Sequence, residues 1–441
     1  MAEKSGMKPI RSLAAAVAIV VFSGCSQSPD PESLLAKLES DLVKGNFGGM
    51  EMLADSIKKL EKADSKTAVK ADSLVDIARR TEIDFSVPEE EFRAQLKERT
   101  GGFPDSEFES WDKNRWLEWK LINGEKRYFR RAASNLILLR NHRYSRAFAD
   151  SVNSLSDELR FRRKHIGSVI NASRENGKPV IPVEMTVNYT LTVKPDAVPE
   201  GKMIRCWLPY PKEGYMRQQK VKFISASHEN FIIAPDSATH RTIYMEEMAV
   251  KNQPATFRVS FSFESSALYF NPAATEIMPY DRNSEIFRTY TSEQLPHICF
   301  TGMVRHLADS ITGPETRPFE ILKKIYYWID SNIPWAGALE YSTIPNIPEY
   351  VLTNRRGDCG MQTFLLMSMI RYKGIPVRWQ SGWMMPPDNE NLHDWCEVYF
   401  EGPGWIPVDM SYGLQYSDNK PIREFYLSGI DSYRMILNDG V

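Results

Sequence analysis

Apolar residues recur at helical spacing from about Pro31 to Ser173. In Leu34-Leu35-Ala36-Lys37-Leu38 and in Met52-Leu53-Ala54-Asp55-Ser56-Ile57 one face is apolar, with charged residues between. Breaks fall at Asn46-Phe47-Gly48-Gly49 and at Thr100-Gly101-Gly102-Phe103-Pro104. The texture changes at Asn176-Gly177-Lys178-Pro179. Beyond it Val183, Met185, Val187, Tyr189, Leu191 and Val193 alternate with polar residues, and Phe257, Val259, Phe261 and Phe263 do the same. Period two of this kind predicts half-buried strands, and with shorter runs near 204–208, 221–225 and 242–245 it predicts an antiparallel β-sandwich. From about Asn283 the pattern is mixed. An amphipathic helix over Phe319–Ile329 is followed by a second apolar helix ending at Lys373-Gly374, then by strand-like runs at 376–383, 394–400 and 405–409. Helices first and strands after predict an α+β domain. The expected architecture is a multidomain α+β protein: residues 1–25 a leader, 26–175 helical, 176–275 a β-sandwich and 276–441 a mixed domain.

Composition changes this picture little. Lys plus Arg number 55 against 57 for Asp plus Glu, a formal charge of -2 that gives no basis for nucleic-acid binding. The N-terminus matters more. Lys8 and Arg11 precede an apolar run, Leu13 to Phe22, too short to span a bilayer but suited to export. It ends in Phe22-Ser23-Gly24-Cys25, which resembles the lipobox of bacterial lipoproteins, with Phe22 where a leucine is usual. That resemblance implies acylation at Cys25 and an exported, membrane-anchored protein of the periplasm or cell surface. Four cysteines remain, Cys206, Cys299, Cys359 and Cys396, too few for a disulfide scaffold.

Candidate chemistry centres on Arg355-Arg356-Gly357-Asp358-Cys359-Gly360. Cysteine attacks as thiolate, and the pattern sets Cys359 in the first turn of a helix, where unpaired N–H groups favour an anion. Gly357 and Gly360 are read as keeping the surroundings narrow enough for a substrate carbonyl to approach. A small buried residue at a helix start would look the same, so the test is whether a base and an orienting acid follow. His393 heads one strand-like run, the chain turns at Glu401-Gly402-Pro403-Gly404, and Asp409 ends the next. A hairpin across that turn brings His393 and Asp409 together, with the acid expected on Nδ1 and Nε2 left facing the thiol. Cys396, three residues on, falls on the opposite face and is read as buried and inert.

These residues, with Tyr372-Lys373-Gly374-Ile375-Pro376-Val377-Arg378, Gly382, His393-Asp394-Trp395 and Trp405-Ile406-Pro407-Val408-Asp409, resemble the transglutaminase-like core, a papain-type cysteine fold. The resemblance runs from about Glu320 to Gly413, with Met410-Ser411 where the family usually continues Pro-Thr. It implies Cys359 as nucleophile, His393 as base and then acid, and Asp409 as the residue that orients His393. The family's aromatic near Asn332-Ile333-Pro334-Trp335 makes Trp335 a candidate oxyanion donor, beside the backbone N–H of Cys359; core packing is the alternative for Trp335, as it is for Trp383 and Trp395 as walls of a groove. In the helical region Trp111, Trp116 and Trp119 read as packing, with a carbohydrate or peptide contact as the alternative.

The expected reaction is thiolate attack on a peptide or carboxamide carbonyl, a thioester intermediate, then hydrolysis or transfer to an amine. A protein, peptide or peptidoglycan-derived amide is the expected substrate. No phosphate loop, paired-cysteine zinc spacing or His-Glu-x-x-His helix is found, so neither cofactor nor metal is expected. The alternative is a non-catalytic envelope-binding protein working through its helical and β-sandwich regions.

Overall fold

The computed structural model describes residues 30–148, 156–173, 175, 177–272, 276–387 and 389–441. The expected leader and Cys25 lie outside the described residues. The chain divides into two compact units, residues 1–79 with 122–124, and residues 80–121 with 125–441.

The first unit holds α1 (Pro31–Lys44), α2 (Met50–Leu60) and α3 (Lys66–Asp84) as far as Arg79. Asp30 caps α1 by accepting from the Ser33 N–H, Pro31 opens its first turn, and Gly45 closes it at φ 76°, a left-handed angle that suits glycine. Leu34, Leu35, Leu38, Met50, Ala54 and Ile57 are the buried positions, as the spacing requires.

The second unit begins with a part that is not purely helical. Three short strands, β1 (Val87–Pro88), β2 (Trp119–Ile122) and β3 (Glu125–Tyr128), form one sheet among α4 (Glu89–Thr100), α5 (Asp105–Lys113) and α6 (Ala132–Phe148). Phe92 stacks on Tyr128 with ring centroids 4.0 Å apart. Strand propensity over two to four residues is too brief a signal to stand out against the flanking helices. The next helix, α7 (Asp157–Ala172), buries Ile166 and Val169 against Ala267, Tyr269, Phe425 and Tyr426.

Two antiparallel sheets follow. The long strands β4 (Val180–Val193) and β9 (Ala255–Tyr269) pair in register, Tyr189 opposite Val259 and Val187 opposite Phe261, and β6 (Gln218–Ala226) lies on the other side of β9. The second sheet has the order β5 (Met203–Pro209), β8 (Thr242–Met248), β7 (Phe231–Ile233). Val187, Leu208, Ile243, Met245, Phe257, Phe261 and Phe263 belong to one buried core shared by the two sheets.

Residues beyond 276 supply α8 (Glu285–Tyr290), α9 (Gly302–Thr312), α10 (Pro318–Asn332), α11 (Ile347–Asn354), α12 (Cys359–Tyr372) and strands β10 (Val377–Met384), β11 (Asn391–Phe400) and β12 (Gly404–Val408). After the short helix α13 (Lys420–Arg423) come β13 (Gly429–Ile430) and β14 (Arg434–Asn438). One antiparallel sheet runs in the order β12-β11-β10-β14. The late strands tie this region to the earlier sheets: β13 pairs with β9, and Met435 and Leu437 of β14 enter the shared core. Gly382 lets β14 come close. A Cβ there would lie 1.9 Å from the Met435 carbonyl oxygen.

Candidate functional site

The cysteine helix forms as its sequence dictates. Asp358 at the N-cap accepts from the Met361 N–H at 3.0 Å, and the apolar run after Cys359 is buried almost throughout. Phe364 stacks on Trp379 at 4.5 Å, setting α12 against one face of the sheet. The loop before Cys359 is pinned on both sides. Gly357 bridges Trp335, its carbonyl accepting from the Ala336 N–H at 3.1 Å. The buried guanidinium of Arg356 lies 3.0 Å from the Glu118 carboxylate, to which the Tyr350 hydroxyl also donates. A cavity of about 720 Å³ borders the same loop, lined among others by Trp119, Lys120, Leu339, Ile344, Tyr350 and Arg356. Trp119 is 39 % exposed there and donates from Nε1 to Asp112, so it is not a core residue.

Strand alternation decides the rest of the site. Successive side chains of β11 leave on opposite faces. Trp395 and His393 share one face with rings stacked at 6.1 Å, whereas Asp394 and Cys396 face α12. The structure therefore brings His393 and Asp409 together, with Nε2 of the imidazole 2.7 Å from Oδ2 of the carboxylate. It does not hydrogen-bond His393 to Cys359. The thiol instead lies 3.3 Å from Asp394 Oδ2. The expectation that Asp409 would take Nδ1 and leave Nε2 for the thiol is thus corrected. Asp409 occupies Nε2, and Nδ1 carries no hydrogen bond to the protein among the described residues.

Asp409 has a second partner that sequence reasoning missed. Arg434, from β14, is fully buried, with Nη1 2.9 Å from Asp409 Oδ2. The distance is that of an ion pair, but the N–H is not aligned for a hydrogen bond. The same guanidinium donates through Nε and Nη2 to Asp431 and lies over the Tyr412 ring at 4.2 Å. The turn at Met410-Ser411 closes back on the acid, since the Tyr412 N–H donates to Asp409 Oδ1 at 3.1 Å. Burial on its own pushes Asp409 up, but His393 and Arg434 outweigh it and hold the carboxyl below its ordinary value. Burial pushes His393 the other way, down, against the pull of Asp409. The pair therefore rests as an ionised Asp409 and a neutral imidazole. A carboxylate can only accept, so Nε2 carries the ring proton and Nδ1 is the basic nitrogen.

The cysteine's surroundings also differ from expectation. Burial comes first, and the carboxylates of Asp394 and Asp358 second, in pushing the Cys359 thiol well up, not down. The two glycines leave room for protein groups. A Cβ on Gly360 would lie 2.2 Å from the Tyr341 hydroxyl and 2.7 Å from Asp394 Oδ2, and one on Gly357 would lie 2.8 Å from the Met361 Cβ. Tyr341, from a single 3-10 turn at Tyr341–Thr343, donates to the N-cap carboxylate of Asp358.

The remaining tryptophans separate cleanly. Trp335 is 44 % exposed beside the Cys359 loop, so core packing does not describe it. Trp395 is wholly buried and donates to Gln380, and Trp383 packs on Tyr189 at 5.3 Å. Both of these are packing residues. Cys206, Cys299, Cys359 and Cys396 are all free, and Cys396 is sealed with its Sγ 3.6 Å from the Val408 carbonyl. Among the described residues, no group of three His, Cys, Asp or Glu is placed to hold a metal ion, and no helix is long and apolar enough to cross a membrane.

Arg434 and Asp431 gave no sequence signal, lying outside every motif. Asp394 did give one: the alternation that turned Cys396 away from His393 turns Asp394 the same way, onto α12.

Comparison with known proteins bears on this site. Residues 305–410 match the family model of the transglutaminase-like superfamily. Over 130 residues the chain is 26 % identical to the uncharacterized protein YebA of Bacillus subtilis, a match covering 25 % of this chain and 18 % of that protein. It is 20 % identical over 254 residues to an uncharacterized protein of Haemophilus influenzae, covering 51 % of this chain and 68 % of the relative. The chain thus spans less than a fifth of YebA and about two thirds of the second relative. Among solved structures, a candidate cysteine protease from Cytophaga hutchinsonii is similar at 14 % identity and a TM-score of 0.43, covering 59 % of this chain and 84 % of that one. The periplasmic domain of TgpA from Pseudomonas aeruginosa is similar at 16 % identity and a TM-score of 0.25, covering 56 % and 75 %. With the helix-start cysteine followed by a buried histidine–aspartate pair, residues 305–410 form a transglutaminase-like domain.

Proposed function

We propose that the chain is a cysteine-dependent acyl-transfer enzyme acting on a peptide or carboxamide. Cys359 is the nucleophile and forms a thioester with the acyl part of the substrate. His393, fixed through Nε2 on Asp409, is a proton carrier of the site. Water then gives hydrolysis, or an amine gives transfer. The observation that carries this reading is the buried 2.7 Å contact between His393 and Asp409, whose imidazole keeps a basic Nδ1. Trp335 is assigned to the oxyanion, since it is exposed and its backbone bridges Gly357 on the loop that leads into Cys359. The chain is read as exported and held at the membrane by a lipid on Cys25, which makes peptides and peptidoglycan-derived amides its substrate class. The two sheets with a common core are read as the β-sandwich expected from the sequence.

A second reading is a non-catalytic envelope-binding protein. One observation favours it: the thiol is hydrogen-bonded to Asp394 and held up, with no hydrogen bond to His393.

The test is mass spectrometry of peptide and muropeptide mixtures after incubation with the wild type and with Cys359→Ala. New cleavage or amide-exchange products that vanish in the variant support the enzyme. Identical mixtures from both exclude it for that substrate class and leave the binding reading.

A further inference from the structure

We propose that Arg434 is a positioning residue of the site, one that keeps the His393 imidazole neutral by sharing the Asp409 oxygen that holds it. The proposal rests on the reading of His393 as the proton carrier.

The geometry has three parts. Asp409 Oδ2 meets His393 Nε2 at 2.7 Å and Arg434 Nη1 at 2.9 Å, so one oxygen serves both. Arg434 is held from its other side, where Nε and Nη2 donate to Asp431 Oδ2 at 3.1 and 2.9 Å and the guanidinium lies over the Tyr412 ring at 4.2 Å. Asp431 is itself fixed, accepting from the Tyr433 N–H at 2.8 Å and from the Tyr426 hydroxyl at 3.0 Å. The guanidinium therefore keeps its place without help from the imidazole.

The groups that face His393 are Asp409 at the end of β12, Arg434 at the start of β14, Asp431 just before it, and Asp358 at the head of α12. The Tyr412 ring meets the imidazole edge-on at 5.1 Å, and Arg162 of α7, paired with Glu158, lies over that ring at 4.0 Å.

Sharing the oxygen decides where the proton rests. A buried carboxylate alone against an imidazole favours the imidazolium. A cation on the same oxygen cancels much of that pull, and burial then favours the neutral ring. His393 is accordingly held below its ordinary value, by burial first and by Arg434, against the pull of Asp409 and Asp431. The wider charge pattern agrees. Arg217, a second buried guanidinium, lies 5.8 Å from the Trp395 ring, as Arg434 does, while Glu397 is taken by Arg378. Asp409 and Asp431 are thus matched by Arg434 and Arg217 while the imidazole is neutral, and an imidazolium would add a positive charge without a partner. Neutral His393 keeps its proton on Nε2 and leaves Nδ1 able to accept one.

The test is the pH dependence of C2-hydrogen exchange at His393 in heavy water, read by peptide mass spectrometry on the full chain. Wild type, Arg434→Met, Arg434→Lys and Asp431→Asn are compared, with circular dichroism to verify folding. The wild-type midpoint should lie below about 6.5, and one above it overturns the proposal. Losing the guanidinium should raise the midpoint by about one pH unit or more, and lysine, which keeps the charge, should bring it most of the way back. Losing the Asp431 charge should lower it. A fold that merely opens would carry every variant up towards the ordinary value, so a rise in Asp431→Asn overturns the proposal. An unmoved midpoint in Arg434→Met does so as well. If Arg434→Met does not fold, the other two variants decide. A lower midpoint in Asp431→Asn with a near-wild-type one in Arg434→Lys supports the proposal, and any other pair overturns it. The midpoint needs no substrate, so it decides even where Cys359→Ala changes no product mixture and the enzyme reading fails. Where products depend on Cys359, the acid limb of their pH–rate profile should move with the midpoint in each variant; a limb that stays in place overturns the positioning role.

Discussion

Arg434 Nη1 lies 2.9 Å from Asp409 Oδ2, and both side chains are inaccessible to solvent. Breaking a buried pair from one side leaves the other charge uncompensated. Arg434→Met is therefore expected to lower stability by about 3–5 kcal/mol, with Arg434→Lys intermediate because its compact ammonium cannot bridge Asp409 and Asp431 at once. Urea denaturation at pH 7 is the measurement. A loss under 1 kcal/mol would mean that the contact carries little of the fold.

Asp409→Asn keeps the shape of the acid but removes the charge that fixes the Nε2 proton. Formation of Cys359-dependent products is expected to fall by about 10²–10⁴-fold, with little change in circular dichroism. Full activity in this variant would remove His393 from the reaction as assigned.

The stability of the protein should depend on pH through two groups of opposite sign. The folded-state pKa of His393 is depressed, so its contribution is fully present above the unfolded value of about 6.5 and is lost as pH falls below it. That of Asp394 is raised to about 7, so its contribution is present below an unfolded value near 4 and is lost as pH climbs towards 7. Asp394→Asn should therefore gain on wild type between pH 4.5 and 7.5, by an amount on the order of a few kcal/mol at most. Parallel stability curves would contradict the raised carboxyl.

Gly360→Ala should separate fold from chemistry. Alanine favours the helix, but its Cβ must displace the Tyr341 hydroxyl and the Asp394 carboxylate. Product formation and the Cys359 alkylation profile should both change while the thermal midpoint moves by a few degrees at most. An unaltered alkylation profile would show that the two groups relax without consequence.

Trp335→Phe removes an indole N–H from an exposed ring, so stability should stay within about 0.5 kcal/mol of wild type. Product formation should fall by at least tenfold if the indole serves the oxyanion. Equal rates would return Trp335 to a surface role.

What the sequence disclosed follows the range of each signal. The long alternation at Val183–Val193 and Phe257–Phe263 and the cap Asp358 are local, and each led to the element found. The strands near Trp119 and Glu125 are four residues each and were lost among helices. At the site, Cys359, His393 and Asp409 stand in ordered motifs, but which ring nitrogen meets the acid depends on a rotamer that no motif encodes. The contact of Asp394 with the thiol was within reach of strand alternation. Arg434 was not, because no periodicity links β14 to the hairpin whose acid it neutralises.

That remoteness has a consequence for how the protein is made. Synthesis runs from the N-terminus, so His393 and Asp409 emerge before the guanidinium that neutralises the acid exists. Until β14 adds beside β10, the Asp409 carboxylate lacks the Arg434 counter-ion, and Met435 and Leu437 leave their core places empty. The ion pair is completed by the strand that comes last of all the elements described.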